Sequence, residues 1–166
     1  LLGAVLGEKF VETSKLTSPR ARSYQDYGSS VATHGDRVVV GADWDSERGL
    51  KAGAAFVYTA DLGFNFGQGQ KLLASDASPQ DQFGSAVSID EYLVVVGASD
   101  HDHAGINSGI VYLFRDVDGF EEVQQLTAKD AFTADRFGVA VAASDGMVVV
   151  GAHEKDVQAG VVYVFR

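Results

Sequence analysis

The conspicuous carboxylates of this chain lie in three short polar stretches. Asp43, Asp45 and Glu47 fall in DWDSERGLKA, Asp100 and Asp102 in SDHDHAGINS, Glu154 and Asp156 in HEKDVQA. Such a set can serve a face that binds a cation or other ligand, or it can cap backbone N–H groups in solvated turns. Asp100, His101, Asp102 and His103 run consecutively and add imidazole to carboxylate, a donor mixture suited to zinc and other transition ions. Consecutive residues reach one ion only where a turn folds them back. Other chemistry is scarce. Cysteine is absent, which removes thiolate nucleophiles and disulfides. No Gly-x-Ser-x-Gly elbow, phosphate loop or His-Glu-x-x-His helix occurs, and His34, His101, His103 and His153 fall in predicted turns or loops. Catalysis is not expected.

What positions these stretches is a repeat. Each follows the same five letters, Val-Val-Val-Gly-Ala, and the glycine-alanine pairs Gly41-Ala42, Gly97-Ala98 and Gly151-Ala152 are 56 and 54 residues apart. The aromatic-glycine pairs Tyr27-Gly28, Phe83-Gly84 and Phe137-Gly138 keep the same spacing, with the two glycines 13 positions apart in every copy. Leu16, Leu72 and Leu126 precede the aromatic-glycine glycine by 12. With Val57-Tyr58, Val111-Tyr112 and Val162-Tyr163 as a further anchor, only the interval from Gly-Ala to Val-Tyr varies, at 15, 13 and 10. All length variation is thereby assigned to the polar stretches. Asp26, Asp81 and Asp135, just ahead of the aromatic-glycine pairs, are expected to make Asx-type turns between repeats.

Within each unit, segments such as GSAVSI, YLVVVGA, GIVYLFR and EEVQQLTA are short, rich in β-branched and aromatic residues, and bounded by Gly, Asp, Asn and Ser. They read as strands. HGD, DEY and DGM are tight turns between the first two, with Asp145-Gly146 the best type I′ signal. Four strands per unit of about 55 residues make one antiparallel sheet per repeat, the blade of a β-propeller. The fold class is therefore all-β, with three four-stranded antiparallel sheets forming a partial propeller or part of a larger ring. The domain is a single segment over 1–166, with repeats at about 27–82, 83–136 and 137–166. Residues 8–16 read as a fourth strand of a preceding or circularly closed blade.

The unit FGSAVSIDEYLVVVGASDHDHAGINSGIVYLFR resembles an FG-GAP repeat, the blade of the integrin alpha-subunit propeller and of many extracellular proteins. The resemblance covers about residues 10 to 166 and implies a secreted or cell-surface adhesion or recognition module. Integrin blades that bind calcium carry an Asp-x-Asp-x-Asp-Gly loop between strands one and two. Here that connection holds only Asp36, Asp90 with Glu91, or Asp145, too few for the six to eight oxygens calcium takes. The calcium site of the resemblance is not carried over; no cofactor is expected, with calcium left open.

A net charge of −10 argues against nucleic acid as a partner, and no apolar run is long enough to insert in a membrane. The expected partner is a protein or glycan bound on the loop face, or neighbouring blades and subunits. Closed propellers have four to eight blades, so three repeats imply a fragment of a longer propeller or a half-ring completed by another chain. The alternatives to recognition are an architectural subunit of an extracellular assembly and an accessory domain of a larger secreted enzyme.

Overall fold

The computed structural model describes residues 9–19, 23–63 and 65–166. Each Val-Val-Val run is the second strand of an antiparallel sheet. The first sheet holds β1 (Val31–His34), β2 (Arg37–Ala42), β3 (Ala54–Thr59) and β4 (Gln70–Leu72), in that order. The second repeats it with β5 (Phe83–Asp90), β6 (Leu93–Ala98), β7 (Ile110–Asp116) and β8 (Phe120–Leu126). The third has three strands among the described residues, β9 (Ala140–Ser144), β10 (Met147–Ala152) and β11 (Val161–Phe165), with β11 at its edge. First and second strands pair across two-residue turns in all three sheets. At Asp145-Gly146 both φ values are positive, 50° and 73°, as a type I′ turn requires.

The central strands are apolar on both sides because the sheets stack face to face. Val39, Ala55 and Val57 of the first sheet pack with Phe83, Val94 and Val96 of the second. Val95, Val111 and Leu113 of the second pack with Phe137, Val148 and Val150 of the third. A further cluster, Val40, Ala42, Ala54, Phe56 and Tyr58, lies on the opposite side of the first sheet. These are successive blades of an incomplete, unclosed β-propeller.

Two contacts join each pair of blades. An arm ahead of each aromatic-glycine pair hydrogen-bonds to the preceding blade's loop: the N–H groups of Gln80, Gln82 and Phe83 donate to the carbonyls of Leu50, Lys51 and Ala52 at 2.8, 3.1 and 3.0 Å. Ala134, Arg136 and Phe137 repeat this on Ile106, Asn107 and Ser108 at 2.8, 3.1 and 3.0 Å. Beside the arm, Gly41 and Gly97 lie against the carbonyls of Gly84 and Gly138, so closely that a Cβ on either would collide with them. This is why Val-Val-Val ends in glycine.

Three sequence expectations need correction. Residues 9–16 form no ladder, and residue 8 lies outside the described residues. Leu16 nonetheless packs against the outer cluster of the first sheet, as Leu72 and Leu126 pack into the two inter-blade clusters. The Val-Tyr anchor is out of register in the first blade. Gly41, Gly97 and Gly151 pair with Ala55, Val111 and Val162, so Ala55-Phe56 is the equivalent of Val111-Tyr112 and Val57-Tyr58 is not. The ring contacts agree: Tyr27–Phe56, Phe83–Tyr112 and Phe137–Tyr163 are edge-to-face at 5.4, 5.3 and 5.4 Å. Counted from Gly-Ala, the interval to this anchor is then 13, 13 and 10, and the third-to-fourth-strand connection also varies. Finally, Gln25, not Asp26, occupies the place of Asp81 and Asp135 two residues before the aromatic.

Candidate functional site

The three polar stretches connect second and third strands, so they leave neighbouring sheets at the same end. Each is fixed at its base by a buried polar pair, built from the residue two before the aromatic and the residue three after Gly-Ala. The pairs are Gln25 with Asp45, Asp81 with His101, and Asp135 with Lys155, and every member but His101 is at most 8% exposed. In the first blade Gln25 Nε2 donates to Asp45 Oδ2 at 2.9 Å, and Lys71 Nζ from β4 reaches both Asp45 oxygens at 2.9 Å. In the third, Lys155 Nζ bonds Asp135 Oδ2 at 2.9 Å and the Asp130 carbonyl at 2.7 Å. In the second, His101 Nε2 stands 3.8 Å from Asp76 and 3.9 Å from Asp81.

The chemical types change, but the job is shared. A buried carboxylate is tolerable only beside a donor or a cation. The first and third blades supply an ammonium group; the second supplies an imidazole whose Nδ1 is buried without a partner. The cost is visible at Asp81, whose pKa is raised chiefly by burial, against the opposing hydrogen bond from the Ser78 N–H and the pull of His101. Lys155 shows the reverse, its pKa pushed up first by its hydrogen bond to Asp135. A tyrosine completes two of the networks. Tyr112 donates to Asp76 at 2.6 Å and Tyr163 to Asp130 at 2.8 Å. Burial, then that hydrogen bond, raises Tyr163 to about 12. Asp81 and Asp135 also accept the N–H three residues behind them, from Ser78 and Phe132 at 2.6 and 2.8 Å. They close a turn upstream instead of making the expected Asx turn forward.

The seven carboxylates separate once placed. Asp45 is buried. Glu47 is exposed but 2.9 Å from Lys71. Asp100 and Glu154 share Arg136, at 3.4 and 3.2 Å, which bridges the second and third blades. Asp43 is half-buried, with Oδ1 unpaired and its pKa raised chiefly by burial. Asp102 and Asp156 are exposed. The Asp-His-Asp-His run does not converge: Asp100 faces Gln82 and Arg136, His101 turns inward, and Asp102 accepts the Asn107 N–H at 2.8 Å. Among the described residues no group of three or more His, Asp or Glu could hold a metal ion.

Beside these polar residues, each loop lifts one apolar side chain into solvent. Leu50, Ile106 and Val157 occupy one position in the three loops, three residues before Gly53, Gly109 and Gly160, and are 66%, 67% and 100% exposed. The residue after each, Lys51, Asn107 and Gln158, has a left-handed φ of 54°, 54° and 68°. In the third loop this forms part of a short helical turn, Lys155–Gln158, in which Asp156 and Val157 are also left-handed. Trp44 sits beside this row in the first loop, with Lys51 Nζ 3.5 Å over its ring. A cavity between Tyr24, Trp44, Asp45 and Lys71 measures about 60 Å³, well below the ~300 Å³ of an ordinary small-molecule site.

The FG-GAP repeat family model matches residues 10–58, 66–114 and 120–165. No curated protein matches the chain. Among solved structures, the crystal structure of the computationally designed Ika4 protein is similar, at 21% identity and a TM-score of 0.41, over 93% of this chain and 98% of that one.

Proposed function

The chain belongs to the FG-GAP repeat family, and on that premise we propose that it is a secreted or cell-surface recognition module, working through the loops between second and third strands. The family is generally non-catalytic and typically extracellular. One observation carries the reading: loops of unlike sequence are pinned at their bases by buried polar pairs, and each raises one exposed apolar side chain at the same position. Fixed bases with variable crests are how a rigid scaffold presents recognition residues. An apolar row flanked by mutually neutralised charges suits a protein partner better than a cation or a glycan. The carboxylates then set the rim, with the exposed Asp102 and Asp156 open to a basic partner.

The test is a screen against extracellular protein and glycan arrays, with and without calcium, followed by variants. Replacing Leu50, Ile106 and Val157 together by Ser should weaken detected protein binding at least about tenfold, because central apolar anchors dominate interface energy. If binding survives that change and is lost on replacing Asp100, Asp102, Glu154 and Asp156 by Ala, the partner reads charge, and the apolar reading fails.

A further inference from the structure

The second pin is the third with one group exchanged. Asp76, Asp81 and Tyr112 stand where Asp130, Asp135 and Tyr163 stand in the next blade, each tyrosine donating to the first aspartate. Each second aspartate accepts an N–H three residues behind it, from Ser78 and from Phe132. Into this shared frame the third blade puts Lys155, whose ammonium bonds Asp135 Oδ2 at 2.9 Å and lies 3.4 Å from Asp130 Oδ2. The second puts His101 there, its Nε2 3.8 Å from Asp76 and 3.9 Å from Asp81, beyond hydrogen-bond reach of either. The ring is 12% exposed, and Nδ1 has no partner among the described residues.

An ammonium keeps its charge through the physiological range, whereas an imidazole gains or loses one there. His101 therefore does the work of Lys155 only when protonated. Two carboxylates within 4 Å attract an imidazolium more strongly than one unsatisfied buried N–H opposes it. The other carboxylates of the cluster have the same sign: Asp102, on the loop of His101, acts on Asp81, and Glu122 of β8 acts on Tyr112. His103 opposes when it too is charged, but it is exposed, with its ring 6.5 Å away. Lys51, on the loop that receives the arm of Asp81, has its Nζ 3.5 Å over the Trp44 ring.

The place of the pin sets what it controls. Asp81 belongs to the arm whose Gln80 and Gln82 N–H groups hold the first loop. His101 begins the second loop, and its carbonyl accepts the Gly109 N–H at 2.9 Å, closing the base of that loop. The same bond runs from Gly53 to Asp45 in the first blade at 2.9 Å and from Gly160 to Lys155 in the third at 3.0 Å. We propose that His101 is a pH-sensitive pin: protonated, it closes on Asp76 and Asp81 and fixes the central loop; neutral, it releases that loop while the other two stay fixed. The proton favours the pinned loop, so pinning is present in mild acid and lost as the pH rises. The inference rests on the pins alone and not on what the loop face binds.

The Gly53, Gly109 and Gly160 amides report all three loop bases in one sample. Their hydrogen exchange is followed by NMR and expressed as protection relative to the intrinsic rate at each pH. From about pH 5.5 to about pH 7.5, protection at Gly109 should fall at least about fivefold relative to Gly53 and Gly160. His101→Lys should keep Gly109 at its acid protection at both pH values, and His101→Gln should keep it at the lower level at both. A parent chain in which the Gly109 ratio does not change with pH overturns the inference. A fall that persists in His101→Gln moves the titration to Asp81 or another group and overturns it too. Should His101→Gln fail to fold, His101→Lys decides: a pH-dependent ratio there overturns the inference equally.

Discussion

The second and third sheets carry the same strand, Val94–Ala98 and Val148–Ala152, yet the residues do different work. In the second, Val95 is fully buried and Gly97 lies against the carbonyl of Gly138. In the third, Val149 is half-buried and Gly151 has space in front of it. Nothing within the strand accounts for the glycine. Its requirement comes from the next blade, so an identical pentapeptide is indispensable in one place and slack in another. The polar pins differ in the opposite sense. The third sheet holds its buried aspartate with an ammonium at 2.9 Å, while the second leaves Asp81 with an imidazole at 3.9 Å.

The sharpest way to break the comparison is to exchange the glycines. Gly97→Val should cost at least about 3 kcal/mol, because a side chain forced onto a neighbouring backbone exceeds ordinary overpacking. Gly151→Val should stay within about 1 kcal/mol when both are measured by urea unfolding. Equal losses would mean that the inter-blade contact is misassigned.

Next in size is Lys155→Ala, expected to cost about 2 to 3 kcal/mol by leaving Asp135 buried without its cation, with the Phe132 N–H still bound. Amide exchange should place the opening in the third sheet. A loss within about 0.5 kcal/mol would mean that solvent reaches the pair.

A smaller, pH-dependent effect sharpens the contrast between the pins. The raised pKa of Asp81 means that it stabilises the fold most when protonated, below its ordinary carboxylate range, and that this contribution fades as pH rises through its titration in the folded state. His101→Lys copies the third blade and should remove that loss. The variant should be about 1 kcal/mol more stable than the parent at pH 7. The gap should shrink toward pH 3, as followed by thermal melts. A gap independent of pH would separate the substitution from Asp81.

The smallest stability change belongs to the exposed row. Leu50→Ser, Ile106→Ser and Val157→Ser should each alter unfolding by no more than about 0.5 kcal/mol, as surface substitutions do. A larger loss would make the row structural.

Much of this was legible in the letters. Phe-Gly and Gly-Ala keep fixed spacing because they pair within one blade, the Gly28 and Gly138 N–H groups donating to the Gly41 and Gly151 carbonyls, so the sheets, the turns and the loop face followed from them. The Val-Tyr anchor slipped by two residues in the first blade, and a two-residue slip in a strand keeps every side chain on its own face. Alternation could not expose the error; only pairing with β2 did. Asp26 was matched to Asp81 and Asp135 by identity, while position selects Gln25. The same preference for identical letters hid the pins. Their members lie 20 residues apart in every blade, but the chemistry runs Gln with Asp, Asp with His, Asp with Lys. Constant spacing with complementary change was the available signal.

Because every ladder within a sheet joins neighbouring strands in the chain, each sheet can close on local hairpins while the polypeptide is still being made. During synthesis each sheet in turn is therefore the newest, and shows the face that the third sheet shows here. That face, two exposed valines and a glycine beside an unpaired edge strand, is a transient aggregation hazard that the next 54 or so residues remove. A ribosome that stalls between repeats would leave it standing.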